Sequence, residues 1–269
     1  MPKRKAPTEE ASIETATVTK TKKAKIERRK TTTTTLHYSG TLSSGPTPVQ
    51  QNIKKVFDSY RDDAVSEPDM IGTDGAMRYL SDLNVDLEDA TVMAIFDLLD
   101  SPSMGEFSRE GFTSGWTSAS TPSNPCDTID RQALYIKTLQ SRLTSDPAYF
   151  RQVYKNAFKY AKPPNQRAIP VDDAFAYWDM FFRAGHSGIE WNTSSTKWMD
   201  LWTDFYKERV KRPVNKDLWN QVAELVKKTQ EPGGEGLGWW SEDGAWPTAV
   251  DDFVAFVKEK RAVGGMDTS

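Results

Sequence analysis

The feature that most limits the fold is a spacing of apolar residues at three and four positions, which runs from about residue 48 to near the carboxyl end. The clearest run would line one helix face and comprises Phe150, Val153, Tyr154, Ala157, Phe158 and Ala161. Asp146 and Pro147 directly precede it and suit the N-cap and the first helical position. No stretch alternates apolar and polar residues with period two, as a half-buried strand would. The sequence therefore predicts an all-α domain of about ten helices that cover one another's apolar faces.

Charge is divided unevenly along the chain. Residues 1–30 carry a net charge of +6, which leaves −9 for the remainder of a chain whose total is −3. Phosphate contacts need Lys and Arg on the folded surface, so an acidic body argues against nucleic acid as the main partner and favours a basic protein. The alternative is that mild acidity only keeps the protein soluble.

Residues 1–46 are predicted to form a disordered basic arm, because they are rich in Thr, Lys, Ser and Pro and hold few large apolar residues. The arm includes the run Thr31–Thr35 and two basic clusters, Lys3–Lys5 and Lys20–Lys30. Separated basic clusters suit a nuclear import signal, so we expect the protein in the nucleus and cytoplasm. The alternative is a solvated basic tail that carries no targeting signal. Residues 263–269 are predicted to be a disordered tail.

The cysteine content and the hydropathy of the chain indicate its redox compartment and its relation to membranes. Cys126 is the single cysteine, which excludes an intrachain disulfide and favours a reducing compartment. No apolar run approaches the roughly 18 residues that a membrane span needs, so we expect no membrane partner.

Two stretches look like helix–loop–helix units, so calcium binding by an EF-hand pair has to be considered. In the second loop, aligning Gly105 with the loop glycine puts Pro102, Met104 and Gly111 at ligand positions three, five and twelve. The first loop would begin with Ala64 and end with Gly75. Calcium needs oxygen ligands at these places, so the sequence predicts an EF-hand-like but metal-free pair, with a calcium regulator as the alternative.

Candidate catalytic groups are few. His37 and His186 are the imidazoles available, and His37 lies in the predicted arm. Cys126 precedes a predicted helix, whose N-terminus would lower the pKa of its thiol, while Asp127 would raise it again. No phosphate-binding glycine loop, paired-cysteine zinc spacing or HExxH motif is present. We therefore expect no cofactor, no metal and no catalysis, and a thiol enzyme using Cys126 is the alternative.

One long string is unusual enough to indicate a family. The segments Trp240–Val254 and Asn215–Trp219 closely resemble the signature of the defective-in-cullin-neddylation (DCN1-like) family, whose shared unit is the potentiating-neddylation (PONY) domain. Further matches follow in the family's order: Ile71–Gly75, Gly105–Arg109, Phe158–Lys162 and Ala174–Trp178. The resemblance covers about residues 50–260, and we place the PONY domain at 47–262.

The resemblance implies a helical domain with an EF-hand-like first half and a role as a scaffold co-ligase. Such proteins bind the carboxy-terminal winged-helix domain of a cullin, within a cullin-RING ligase complex. They also bind the N-terminally acetylated conjugating enzyme for NEDD8, a ubiquitin-like modifier. They promote transfer of the modifier onto the cullin without forming a thioester themselves. We expect the same non-catalytic role here, carried out by a monomer.

The family's cullin site is an acidic patch of two aspartates around an alanine, and the matching positions are Asp217, Ala245 and Asp251. Two carboxylates offer charge-assisted hydrogen bonds to basic side chains, and a small residue between them allows close approach. The alternative is that Asp217 only complements its helix dipole and Asp251 lies on a solvated face.

The family's second site is an apolar pocket for the acetylated methionine of the conjugating enzyme; acetylation removes a charge that would be costly to bury. The matching positions are Ala76, Val92, Met93, Ile95, Met104, Gly105, Phe107, Tyr160, Tyr177 and Met180. Ala76, Met104 and Gly105 differ from common family forms, which predicts a reshaped pocket. Some of the ten would instead be core residues, since apolar residues at helical spacing are usually core. Segments 186–193 and 233–239 look like insertions into surface loops.

Overall fold

The computed structural model describes residues 45–244 and 246–264. Within these ranges the chain forms ten α-helices and four two-residue strands, which confirms the all-α prediction. The first part comprises α1 (Pro48–Tyr60), β1 (Met70–Ile71), α2 (Thr73–Asp82), α3 (Thr91–Leu98), β2 (Phe107–Ser108) and α4 (Arg109–Ala119). The second part comprises α5 (Ile129–Ser145), α6 (Pro147–Ala161), β3 (Ala168–Ile169), α7 (Val171–Phe182), α8 (Trp198–Phe205), β4 (Val214–Asn215), α9 (Lys216–Gln230) and α10 (Thr248–Gly264). A π-helical turn, Tyr206–Val210, follows α8.

The predicted arm lies outside the described residues except for positions 45 and 46, and residues 265–269 of the predicted tail also lie outside them. The last helix ends at Gly264, two residues beyond the predicted domain end at 262. None of the helices in the described ranges is long and apolar enough to cross a membrane.

The helices α1 to α4 form two helix–loop–helix units joined through their loops. The strands β1 and β2 pair antiparallel, with Met70 opposite Ser108 and Ile71 opposite Phe107, and α1 packs against α4. Gly105 has a φ of +75° in the second loop, which is the sharp turn that the EF-hand alignment assigned to a glycine. Within the described part of the chain, His, Cys, Asp and Glu side chains form no cluster able to hold a metal ion. The pairing of the two loops and the turn at Gly105 are the features that the EF-hand-like prediction shares with this structure.

The beginning of α6 follows from local sequence as predicted. The carboxylate of Asp146 accepts hydrogen bonds from the backbone amides of Ala148 and Tyr149, each at 3.1 Å, and Pro147 occupies the first helical position. The predicted apolar face is buried, with Val153, Tyr154 and Ala157 fully inaccessible. The helix α6 contacts α3 on one side and α9 on another, so it joins the two parts of the fold.

The inserted segment around residues 186–193 is not a plain surface loop, contrary to the prediction. Trp191 is fully buried, and its indole N–H donates to Thr229 Oγ1 at 2.8 Å. At the other end, Ser187 Oγ donates to Asp89 Oδ2 at 2.6 Å, and the amide of Ala90 donates to the carbonyl of His186 at 3.0 Å. A buried tryptophan and these hydrogen bonds tie the segment to both α9 and the beginning of α3.

Candidate functional site

The first acidic position lies in the first turn of α9. Asn215 caps this helix through its Oδ1, which accepts from the amide of Leu218 at 2.9 Å. The cap is itself held by the β3–β4 pairing, in which Asn215 lies opposite Ala168. Asp217 is exposed, whereas Leu218 and Trp219 are buried. The helix is therefore positioned by its buried face, and Asp217 is left at the surface beside the N-terminal amides.

The position of α9 is set by an interlocking aromatic pair. The rings of Tyr154 and Trp219 stack with centroids 4.5 Å apart. Trp219 Nε1 donates to the carbonyl of Tyr154 at 2.8 Å, and the hydroxyl of Tyr154 donates back to the carbonyl of Trp219 at 2.8 Å. Trp178 Nε1 donates to the same hydroxyl at 3.1 Å. Burial raises the pKa of Tyr154 well above its ordinary value, so this hydroxyl stays protonated and available as a donor.

The second acidic position lies in the first turn of α10. Pro247 directly precedes this helix, and its carbonyl accepts from the amides of Val250 at 2.7 Å and Asp251 at 3.2 Å. The face of α10 that contains Val250, Phe253 and Val254 is completely buried. Asp251 is half-buried, and its Oδ1 accepts a hydrogen bond from the indole N–H of Trp240 at 2.8 Å.

These two carboxylates occupy equivalent places on helices that pack against each other. Asp217 and Asp251 lie in the first turns of α9 and α10, where the helix dipole favours negative charge. Ala245, the third member of the predicted patch, lies outside the described residues. Each carboxylate thus adds negative charge to the first turn of one of two contacting helices.

Trp240 was not singled out from the sequence as a partner of Asp251. The two residues are separated by 11 positions and by a turn in which the amide of Gly244 donates to the carbonyl of Ser241 at 3.0 Å. No periodic pattern relates a loop tryptophan to a helix aspartate across such a turn, so no sequence signal could have found this contact. Lys258 Nζ lies 4.2 Å from the centroid of the Trp240 ring, which adds a cation–π contact.

The ten positions matched to the apolar pocket fall into two groups by exposure. Six belong to the core and are at most 4 % exposed: Ala76, Val92, Met93, Ile95, Phe107 and Tyr160. Met104 is 36 % exposed, and Gly105, Tyr177 and Met180 are half-buried. The more accessible group is therefore the one that a partner's side chain would meet first.

Two members of the buried group, Phe107 and Tyr160, pack against Phe96 of α3. The Phe96 ring centroid is 5.4 Å from that of Phe107 and 6.0 Å from that of Tyr160. Burial raises the pKa of Tyr160, and the nearby carboxylates of Asp97 and Asp100 raise it further. These contacts bring α3, the second loop and the end of α6 into one apolar region.

Two of the ten positions lie on α7. The rings of Tyr177 and Trp219 are nearly perpendicular, with centroids 6.5 Å apart. Met180 lines an open cavity of about 590 Å³ together with Leu87, Phe175 and His186, and none of the other nine positions lines it. Phe107 and Tyr160 thus meet α3 through Phe96, while Met180 borders a cavity on α7.

Cys126 lacks the surroundings of a reactive thiol. Its side chain is 3 % exposed, and its Sγ lies 3.7 Å from the carbonyl of Ala119. Burial raises the pKa of the Cys126 thiol, and the neighbouring Asp127 carboxylate acts in the same direction. The thiolate needed for nucleophilic attack is disfavoured, which weakens the thiol-enzyme alternative.

Comparison with known proteins adds independent findings. A family model described as cullin binding matches residues 131–256, a range that includes both acidic positions and Trp240. The chain is 33 % identical over 218 residues to Defective in cullin neddylation protein 1 of Pyricularia oryzae, covering 77 % of this chain and 75 % of that protein. The protein of the same name from Yarrowia lipolytica is 32 % identical over 206 residues, covering 76 % and 77 %. The one from Saccharomyces cerevisiae is 25 % identical over 217 residues, covering 80 % and 75 %.

Proposed function

The chain belongs to the defective-in-cullin-neddylation family, whose cullin-binding domain it carries, and from this premise we propose that it is a non-catalytic scaffold co-ligase. It binds the C-terminal winged-helix domain of a cullin and the N-acetylated NEDD8 conjugating enzyme at two separate sites. Holding both promotes transfer of NEDD8 onto the cullin and thereby regulates the cullin-RING ligase complex. The protein works as a monomer, without nucleic acid, membrane, metal or cofactor.

The observation that carries the cullin site is the pair of carboxylates in the first turns of two packed helices. Asp217 is exposed, and the Asp251 carboxylate keeps one oxygen that receives no hydrogen bond from the described residues. Charge-assisted bonds from a cullin's basic side chains would reach both. The net charge of −9 beyond residue 30 supports attraction of such a partner from solution.

The proposed site for the conjugating enzyme uses the more accessible members of the apolar set. An acetylated methionine has no N-terminal charge and can be buried against apolar side chains at little cost. Met104 is exposed enough to meet it, and Phe107 and Tyr160 form the buried region behind. We propose Met104, Tyr177 and Met180 as the entrance and the buried members as the supporting wall.

The decisive experiment for the cullin site is a binding measurement with purified cullin. Asp217→Lys and Asp251→Lys should each weaken cullin binding about tenfold or more, because reversal replaces attraction by repulsion. Asp172→Lys is the matched control, since Asp172 is an exposed first-turn aspartate of another helix, α7. Unchanged binding by both site variants, with unchanged helical circular dichroism, would remove the proposed cullin site.

The second site is tested by reconstituted neddylation with the conjugating enzyme in acetylated and unacetylated forms. Stimulation by this protein should be lost with the unacetylated enzyme. Met104→Glu should reduce stimulation with the acetylated enzyme, whereas Leu134→Glu, which changes an apolar side chain that is 65 % exposed on α5, should not. Full stimulation by Cys126→Ala would exclude the thiol enzyme, and equal stimulation by both enzyme forms would contradict the acetyl pocket.

We also propose that the protein distributes between nucleus and cytoplasm. The support is the pair of basic clusters at Lys3–Lys5 and Lys20–Lys30, which lie outside the described residues. A fluorescent fusion with the Lys and Arg residues of both clusters changed to Gln should become more cytoplasmic. An unchanged distribution would identify the arm as a tail without an import signal.

A further inference from the structure

The hydrogen bond between Trp240 and Asp251 points to a role for Trp240 that the proposed function does not include. We propose that Trp240 is a positioning residue of the cullin site: its indole N–H holds Asp251 Oδ1 and thereby presents Oδ2 to a basic cullin side chain. The inference rests on the proposed function, because it concerns the same carboxylate.

The two oxygens of the Asp251 carboxylate can accept hydrogen bonds from two different donors, the Trp240 indole and a group of the partner. An indole N–H is a donor only, and an ionised carboxylate is an acceptor only, with two oxygens and room for several donors. The Trp240 Nε1 to Asp251 Oδ1 distance of 2.8 Å uses one oxygen. No described residue donates to Oδ2, so a partner's ammonium or guanidinium can bind there without displacing the indole.

The indole is itself held in place, which a positioning residue requires. The amide of Trp240 donates to the carbonyl of Leu237 at 3.1 Å, and the side chain of Leu237 is buried. Lys258 Nζ lies over the Trp240 ring at 4.2 Å, from a position two turns along α10 from Asp251. The preceding turn and α10, the helix that carries Asp251, therefore both hold the Trp240 ring in place.

Asp217 provides the contrast within the same site. Its side chain is exposed and makes no hydrogen bond or ion pair with a described residue. A partner that binds Asp217 must pay the entropy of ordering a free side chain, whereas the Asp251 carboxylate is already ordered. Trp240 should therefore matter for binding through Asp251 and not through Asp217.

The test is a double-mutant cycle read out as the dissociation constant for purified cullin. Trp240→Phe, which keeps an aromatic ring and removes the donor, should weaken binding about fivefold. The same change should have no further effect on Asp251→Ala, and should keep its full effect on Asp217→Ala. A merely structural role would weaken binding equally in both backgrounds.

Trp239→Phe is the matched control. The indole of Trp239 donates to the carbonyl of Gly234 at 3.0 Å, so this variant also loses an indole hydrogen bond in the same segment, but not one to Asp251. Its cullin binding should stay within about twofold of the unmodified protein.

Nuclear magnetic resonance of the indole N–H groups tests the hydrogen bond without altering Trp240. In Asp251→Ala the Trp240 indole signal should move, while that of Trp239 should not. If Asp251→Ala binds less well and Trp240→Phe binds normally, the inference fails and the proposed cullin site stands. If Asp251→Ala and Asp217→Ala both bind normally, the proposed site fails and the inference fails with it.

Discussion

At the scale of single residues, buried contacts hold the helices that carry the two acidic positions. Tyr154 is the clearest example, because its one hydroxyl donates to the carbonyl of Trp219 and accepts from Trp178 Nε1. The apolar spacing predicted that Tyr154 would be buried, and it is. It could not predict that Tyr154 and Trp219 bind each other, since they are 65 positions apart and the contact exists only after α6 and α9 have packed.

The hydroxyl of Tyr154 should therefore carry a large part of the local stability. Tyr154→Phe keeps the ring, removes an additional donor from the Trp219 carbonyl and leaves the buried indole N–H of Trp178 without a partner, at a cost of about 1–3 kcal/mol in the free energy of unfolding. Tyr149→Phe on the same helix is the control, because no described residue hydrogen-bonds to the Tyr149 hydroxyl, and it should cost less than about 0.5 kcal/mol. Urea unfolding followed by tryptophan fluorescence measures both, and equal midpoints would contradict the argument.

Asp127 should make stability depend on pH in the acid range. Asn52 Nδ2 donates to its Oδ2 at 2.9 Å and Arg131 pairs with its Oδ1 at 2.6 Å. The hydrogen bond from Asn52, followed by Arg131, lowers the pKa of Asp127 below its ordinary value of 3.8. A group whose pKa is lower in the folded state stabilises the fold fully above the unfolded pKa, and this contribution disappears as the pH falls through the folded pKa.

Thermal melting between pH 6 and about pH 2.5 tests this linkage. Asp127→Asn should lower the melting temperature near neutral pH and show a smaller further loss on acidification than the unmodified protein. Asp130→Asn, an exposed change on α5 three positions along, is the control. Parallel acid profiles for Asp127→Asn and the unmodified protein would show that this carboxylate contributes no linkage.

At the scale of elements, sequence reasoning succeeded where the determinants are local. The helical period and the Asp146 cap placed α6 correctly, because both depend on residues within a few positions of each other. The strands were missed because each has two residues and exists only through pairing with a distant partner. The buried position of Trp191 was missed for the same reason, since its acceptor on Thr229 is 38 positions away.

The close crossing of α1 and α2 gives a prediction at this scale. A Cβ added at Gly75 would lie 1.9 Å from the carbonyl oxygen of Tyr60 and 2.9 Å from the side chain of Ile71. Because the nearest atom belongs to the backbone at the end of α1, the helices must move apart. We expect Gly75→Ala to cost about 2–3 kcal/mol or more.

The control for this crossing is Gly238→Ala, where nothing lies within 4 Å of an added Cβ. It should leave the urea midpoint nearly unchanged. If Gly75→Ala also left the midpoint unchanged, the tight α1–α2 crossing would not be a determinant of the first half of the fold.

At the scale of the whole molecule, α6 packs against helices that belong to both proposed sites. It contacts α3, which carries Val92, Met93 and Ile95 of the apolar set. It also contacts α9, which carries Asp217 in its first turn. The segment around residues 186–193 adds a second connection from the beginning of α3 to α9. A fixed relation between two binding surfaces is what a scaffold needs, because it sets the effective concentration of one partner near the other.

A scaffold with two separate sites makes a prediction that an enzyme does not. With cullin and acetylated conjugating enzyme held at fixed concentrations, the neddylation rate should rise as this protein is added and then fall once it exceeds both partners. At excess, each partner binds a different copy, and the advantage of proximity is lost. Asp217→Lys should give a much smaller rise, because it weakens one of the two attachments about tenfold or more. A rate that climbs to a plateau and stays there at large excess would mean that the protein accelerates transfer without bridging its partners, and the scaffold mechanism would have to be abandoned.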